Sequence, residues 1–407
     1  MISRFNRIRK SRLFGAWANS MFARTISLVP LALFALQIES ASSRAGRMYI
    51  ATFAIIASAS YALNTVNEAQ RFAKQSSTTT NRALVLQSLI CLVAGAALLS
   101  PLLHDPSATD PLLLLAIATQ PFVALARTRV VDSDRYRGAY SSTGLRDAPS
   151  AIVALVALVS ASATDWLPFS LAAGCLAQWA YLAWASRSVG KDDLSASKEP
   201  SSTKVWAVYV ALSAVALAAF QPVARFFVEF GHSALGLASY ELADRPAYIV
   251  ALTIAGGVGT ELQRRWRDAS LSAARAELHR SERLIMLAMV TAFAVAWVGA
   301  FLLRDTLEII RDGDLLILLP LSFAANIVYV LCILRNRLLM ACSLPQTVFH
   351  AFAAGVVVLS LVCLVARLTT GPYDTVVVSS ATLGGFVVAL LWLESRLRRV
   401  YAESNEV

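Results

Sequence analysis

Charge is what this chain is short of. Only 15% of its 407 residues are Asp, Glu, Lys or Arg, against about a quarter in a soluble globular domain, and that deficit excludes water as the solvent around most of the fold. Paired cysteines are missing too. Cys91, Cys175, Cys332, Cys342 and Cys363 stand singly inside apolar runs, with no CxxC motif and no partner at metal-ligand spacing, which argues against a disulfide framework and a zinc site. The histidines, His104, His232, His279 and His350, are as scattered, so neither a metal nor another cofactor is implied.

What fills the chain instead is hydrocarbon: 57% of the residues are apolar, gathered in runs of roughly 16 to 26, the length a helix needs to cross a core about 30 Å thick. The runs predict an all-α integral membrane protein of about twelve spans: residues 13–36, 48–66, 83–103, 111–126, 149–163 and 166–186, then 205–224, 234–258, 284–303, 315–334, 346–366 and 375–393. Arg4, Arg7, Arg9, Lys10 and Arg12 precede the first run as in a signal peptide. That run is too long, contains Arg24 and has no small-x-small cleavage site close behind it, so it reads as a retained helix.

Of the 36 Lys and Arg residues, 28 fall before the first span, in alternate loops and in the tail. Because positive loops resist translocation, both termini are predicted to be cytoplasmic in a bacterial inner membrane, and the net charge of +10 follows from topology without nucleic acid. Loops on the opposite side reach about a dozen residues at most, which leaves little room for the outside domain of a membrane enzyme.

A polar stretch, residues 187–204, separates a first lobe of six spans (1–186) from a second (205–393), with 394–407 as a tail; six plus six suggests a parallel repeat around a central cavity. Pro30 and Pro222 occupy the first span of each half, and Gly46 with Tyr49 echoes Gly236 with Tyr240.

Against this apolar background, intramembrane charges carry the functional signal. Arg24 lies about 16 Å into the first span at helical rise, near the bilayer centre. The eighth span carries Glu241, Asp244 and Arg245, with Pro246 directly behind. Glu241 and Arg245 are spaced for an i,i+4 pair, which leaves Asp244 unpaired on this reading, and Pro246 is expected to bend the helix and make room for water or ligand. The same charges also fit a self-satisfied ion-pair knot. Asn19, Gln221 and Asn326 suit interhelical hydrogen bonding, and Pro30, Pro222, Gly256 and Gly257 are candidate flex points. Residues 261–283, basic and interspersed with Leu262, Trp266, Leu271 and Leu278, read as a cytoplasmic helix lying on the inner leaflet.

The stretch from Gly231 to Asp268 resembles the eighth helix of the flippase branch of the MOP exporter superfamily, which also contains the MATE exporters and the lipid II flippases. Gly236, Tyr240, Ala243, Asp244 and Arg245 carry the match, whereas the family's proline falls several residues after the arginine rather than beside it. The resemblance implies two six-helix lobes alternating between inward-open and outward-open states, with no enzymatic step. It further implies that Arg24 and Arg245 bind the phosphate of a polyprenyl-linked oligosaccharide, with Glu241 or Asp244 as ion-coupling candidates. Lipid II flippases generally add two C-terminal helices, so about twelve spans point to the Wzx-type flippases of surface polysaccharide assembly, where membrane lipids and other assembly proteins would be the partners. The rivals are a multidrug or cation exporter of the same fold, a membrane glycosyltransferase or polymerase, and a scaffold subunit of an export complex.

Overall fold

The computed structural model describes residues 52, 55, 56, 59, 63, 93, 111–126, 167–187, 204–231, 236–237, 239–248, 250–251, 271–305, 314–342 and 344–405. The first three predicted spans, apart from a few single positions, and the fifth lie outside them, as do Arg24, Asn19, Pro30, Gly46, Tyr49, Gly256, Gly257 and residues 261–270.

Every described element is helical. They are α1 (Pro111–Ala126, with a turn at Thr119), α2 (Leu167–Arg187), α3 (Lys204–Phe230), α4 (239–248), α5 (Leu271–Leu303), α6 (Leu315–Ala341), α7 (Pro345–Thr370) and α8 (Thr375–Asn405). Five of them, α3 and α5 to α8, are long and apolar enough to cross a membrane. The chain divides into two compact units, Met1–Ala211 and Leu212–Val407.

In the first unit α1 packs on α2. Val123 and Ala126 meet Leu182 in a small core, and the buried Gln120 amide donates to the Ala116 carbonyl at 3.0 Å and reaches Cys175 Sγ at 3.5 Å.

In the second unit α7 shows the inversion that a lipid solvent imposes. Val357, Leu361, Val365 and Leu368 form an exposed apolar stripe, while Phe352, Gly355, Leu359 and Cys363 are buried. Lipid is as apolar as leucine, so close van der Waals packing has to hold such helices together. Small residues permit it where α7 crosses α8: a Cβ on Gly355 would come within 2.6 Å of the Gly385 carbonyl oxygen, and one on Gly385 within 2.6 Å of that of Gly355. Phe220 of α3 covers the crossing and stacks on Phe386 with ring centroids 4.1 Å apart. Gly371, at φ 75°, ends α7, and its N–H donates to the Arg367 carbonyl. The next turn brings the Tyr373 hydroxyl onto the Phe227 carbonyl at 2.9 Å, a tie that a side chain at Gly231 would obstruct.

Four helices outrun their predicted ends by six residues or more; one is α6, which runs seven residues past Leu334 to Ala341, with Arg335 taken up by Glu282 and Glu394. α3 continues six residues past Ala224, because Phe226, Phe227 and Val228 resume the apolar run and the intervening Arg225 is neutralised within the fold. α8 continues well past Leu393 as helix rather than tail, supported by the Glu394–Arg398 pair one turn apart and by burial of Leu397 and Tyr401.

α5 corrects the surface-helix reading for residues 271–283. From Leu271 its 33 residues run unbroken into the ninth span, about 50 Å at helical rise, because no Gly or Pro interrupts the start of that span. Of the four apolar residues of that reading, Leu278 is buried with Ala274 against the neighbouring helices, and Arg275 sits 4.7 Å from the Tyr401 ring centroid.

Gly355→Ala and Gly385→Ala are each expected to lower stability by about 1 to 3 kcal/mol through overpacking. Gly384→Ala is the control, since a Cβ there meets nothing within 4 Å; it should be neutral or stabilising. Thermal unfolding of the purified chain in detergent checks this, and equal behaviour of Gly384 and Gly385 would contradict the close-approach assignment.

Candidate functional site

Helical periodicity on α4 sets Glu241 above Arg245 and Tyr240 above Asp244, each pair one turn apart. Into the angle between these two stripes α3 sends Arg225. Its Nε pairs with Glu241 Oε1, its Nη2 lies 3.5 Å from Asp244 Oδ2, and its Nη1 donates to the Gln221 side-chain oxygen and backbone carbonyl. Arg245 Nε donates to the other Glu241 oxygen at 2.5 Å, so one carboxylate bridges two guanidinium groups. From α6, Asn326 Nδ2 donates to Asp244 Oδ1 at 2.9 Å and to the Ser322 carbonyl. Tyr240 contributes a ring face, its centroid 5.5 Å from the Arg225 guanidinium carbon.

All of these charged residues are at most 5% exposed. An isolated charge in such surroundings costs several kcal/mol, and mutual attraction offsets that cost only when the hydrogen-bonding geometry is good. Two arginines and two carboxylates balance formally, and Gln221 and Asn326 add side-chain hydrogen bonds to the knot.

Arg245 and Glu241 thus meet as their spacing predicts. Asp244 does not stand alone, contrary to the expectation from spacing; its partners come from two other helices, which positions along one helix do not reveal. Pro246 leaves α4 helical through residue 248. Arg225 is the residue that sequence reasoning misses, because ending the seventh span at Ala224 puts it in an outer loop. The signal is present in FQPVARFFVEF, where the apolar run continues across the arginine as it does across Arg24. Arg24 lies outside the described residues.

A second cluster lies further along α6 and ties it to α5 and α8. Arg335 of α6 donates to Glu282 of α5 at 2.5 Å and to Glu394 of α8 at 2.8 Å, while Arg398 lies 3.3 Å from Glu394. His279 Nδ1 lies 3.1 Å from the second Glu282 oxygen. Asn326 and Arg335, nine residues apart on α6, are separated by about 13 Å along the axis. Among the described residues no group of three or more His, Cys, Asp and Glu side chains gathers to hold a metal.

Comparison with solved structures finds the same fold in transporters of the MOP superfamily. A Pyrococcus furiosus MOP transporter, described as having a binding pocket of reversed polarity, aligns with TM-score 0.62 at 12% identity over 94% of this chain and 95% of its own. A MATE multidrug transporter in its inward-facing conformation gives 0.63 at 12% identity over 93% and 96%. The lipid II flippase MurJ, inward closed, gives 0.60 at 12% identity over 94% and 87%. No protein-family model and no curated protein matches the sequence. At these identities the likeness establishes the architecture, an all-helical membrane fold of the MATE/MOP type.

Arg225→Leu strands the Glu241 carboxylate between fewer donors and is expected to cost about 3 to 5 kcal/mol, as removal of one partner from a buried pair does. Adding Glu241→Leu removes the stranded charge. The double variant should therefore cost clearly less than the sum of the two singles in thermal unfolding; strict additivity would show that the pair is not coupled.

Proposed function

We propose that this chain is a flippase that carries a polyprenyl-(di)phosphate-linked oligosaccharide across the bacterial inner membrane, for assembly of a surface polysaccharide. The observation that supports this reading is the pairing in the buried knot. A cation exporter of the same fold needs a carboxylate uncommitted to a resident cation, and here Glu241 and Asp244 are matched by Arg225 and Arg245. Neutralising Glu241 would leave the site with guanidinium to offer a visitor, and its five N–H donors form a planar fork suited to phosphate.

On this reading Arg245, with Arg24 from the other half of the chain, attracts the carrier phosphate. The saccharide passes through a hydrated cavity while the polyprenyl tail stays in lipid. The two halves alternate between inward-open and outward-open states, with both termini cytoplasmic. Glu241 and Asp244 are the groups through which an ion gradient would act, because an incoming cation or proton weakens their hold on the arginines; one charge crossing 100 mV supplies about 2.3 kcal/mol. One solved structure that shares the fold, MurJ, is described as a lipid II flippase, which lends support to a lipid-linked substrate class.

The test is surface polysaccharide in a deletion strain complemented with wild type, Arg24→Ala, Arg245→Ala, or Lys at either position, with membrane levels of each variant measured. Polysaccharide should be lost with the alanine variants and partly restored by lysine. Full polysaccharide from both alanine variants at normal membrane levels would overturn the cationic site and leave the knot a structural element.

A further inference from the structure

We infer that the groove beside the Arg335 cluster, between α5 and α6, is a binding site for one anionic phospholipid molecule, with Arg283 as the residue that engages its phosphate.

The groove has a volume of about 430 Å³ and is lined by His279, Glu282, Arg283, Met286 and Leu331. Its two ends differ in chemistry. On α5 the segment 279–283 reads His-Arg-Ser-Glu-Arg, and directly afterwards Leu284 and Leu287 are 63% and 66% exposed. Exposed leucines of this kind mark hydrocarbon, so the boundary between water and acyl chains crosses α5 at Arg283. Met286 and Leu331 then lie on the hydrocarbon side, and His279, Glu282 and Arg283 on the polar side. A groove that straddles this boundary with a charged rim and an apolar floor suits an amphiphile of headgroup and chain, and suits neither a soluble anion nor a wholly apolar tail.

Charge decides the headgroup. Glu282 presents no net repulsion at the rim, since one of its oxygens accepts from Arg335 at 2.5 Å and the other faces His279 at 3.1 Å. Arg283 is exposed and makes no ion pair with any described residue. Arg280, about one turn earlier on α5, is likewise exposed, and Arg396 and Arg399 stand on α8 beyond Glu394, at the same end of the bundle. The rim is therefore positive, and a guanidinium meets a phosphodiester in charge-assisted, bidentate fashion. The site is separate from the buried knot and does not depend on what the chain transports.

The experiment uses the purified full-length chain in a neutral detergent, titrated with phosphatidylglycerol, phosphatidylcholine or glycerophosphate and followed by native mass spectrometry and by melting temperature. Wild type should retain one phosphatidylglycerol and melt at higher temperature with it, with little response to the other two. Arg283→Gln should bind phosphatidylglycerol about tenfold more weakly, the loss of one charge-assisted contact, and Arg283→Lys should stay close to wild type. Because Arg283 is exposed and outside the ion-pair cluster, the lipid-free melting temperature of Arg283→Gln should equal that of wild type, which separates lost binding from lost folding. Equal retention by Arg283→Gln and wild type overturns the assignment. So does an equal response to phosphatidylcholine, an equal response to glycerophosphate alone, or a lipid-free dimer whose interface covers the groove.

Discussion

The second unit is organised by the cost of placing charge where water is scarce. Arg225, Glu241, Asp244 and Arg245 are each tolerable only because the others are present; Arg225 comes from α3 and the other three from α4. Arg225 fixes α3 against α4, and Asn326, by donating to Asp244, draws in α6. The Arg335 cluster repeats the device about 13 Å away along α6, joining α5 and α8. One helix is thus held at two levels by polar contacts whose failure would strand a buried charge or amide, and this sets the rotation of α6 more firmly than apolar packing alone.

Packing then supplies what the charges leave undone. With lipid on the outside, burying another leucine gains little, whereas bringing two backbones together gains many weak contacts. Gly355 and Gly385 allow that approach, and Phe220, Phe386, Tyr329 and Tyr248 fill the space beside it as a run of touching rings across α3, α8, α6 and α4. Tyr329 lies between Asn326 and Arg335 on α6, so the aromatic contacts and the two polar clusters constrain the same helices.

Much of this fold was legible in the sequence. Span length and hydropathy predict the positions of α1, α2, α6, α7 and the apolar part of α5, because a hydrocarbon core imposes one length on every crossing helix. Helix ends were less legible: α3, α5, α6 and α8 extend beyond the apolar runs because polar residues there find partners on neighbouring helices, which hydropathy does not register. The i,i+4 pair of Glu241 and Arg245 could be read from spacing. The partners of Asp244 could not, since Asn326 is 82 positions away, and Arg225 falls outside a seventh span that ends at Ala224. An arginine stays inside a span where acidic residues on another helix lie at the same depth.

The same reasoning bears on what a charge knot means for transport. A rigid, fully balanced set of charges has no need of a substrate, and taken alone it is a structural element. Its balance, however, is held through one carboxylate: Glu241 serves both Arg225 and Arg245, while Asp244 leans on Asn326 and sits 3.5 Å from Arg225. Loss of charge from Glu241 would leave two arginines facing a single carboxylate, an excess that an anion would relieve. A site arranged in this way favours an anionic visitor only when its acid is neutralised, so in the proposed transport cycle ion entry and carrier phosphate binding would be two sides of one electrostatic balance. On the proposed reading, that dependence is what ties the movement of a lipid-linked saccharide to an ion gradient.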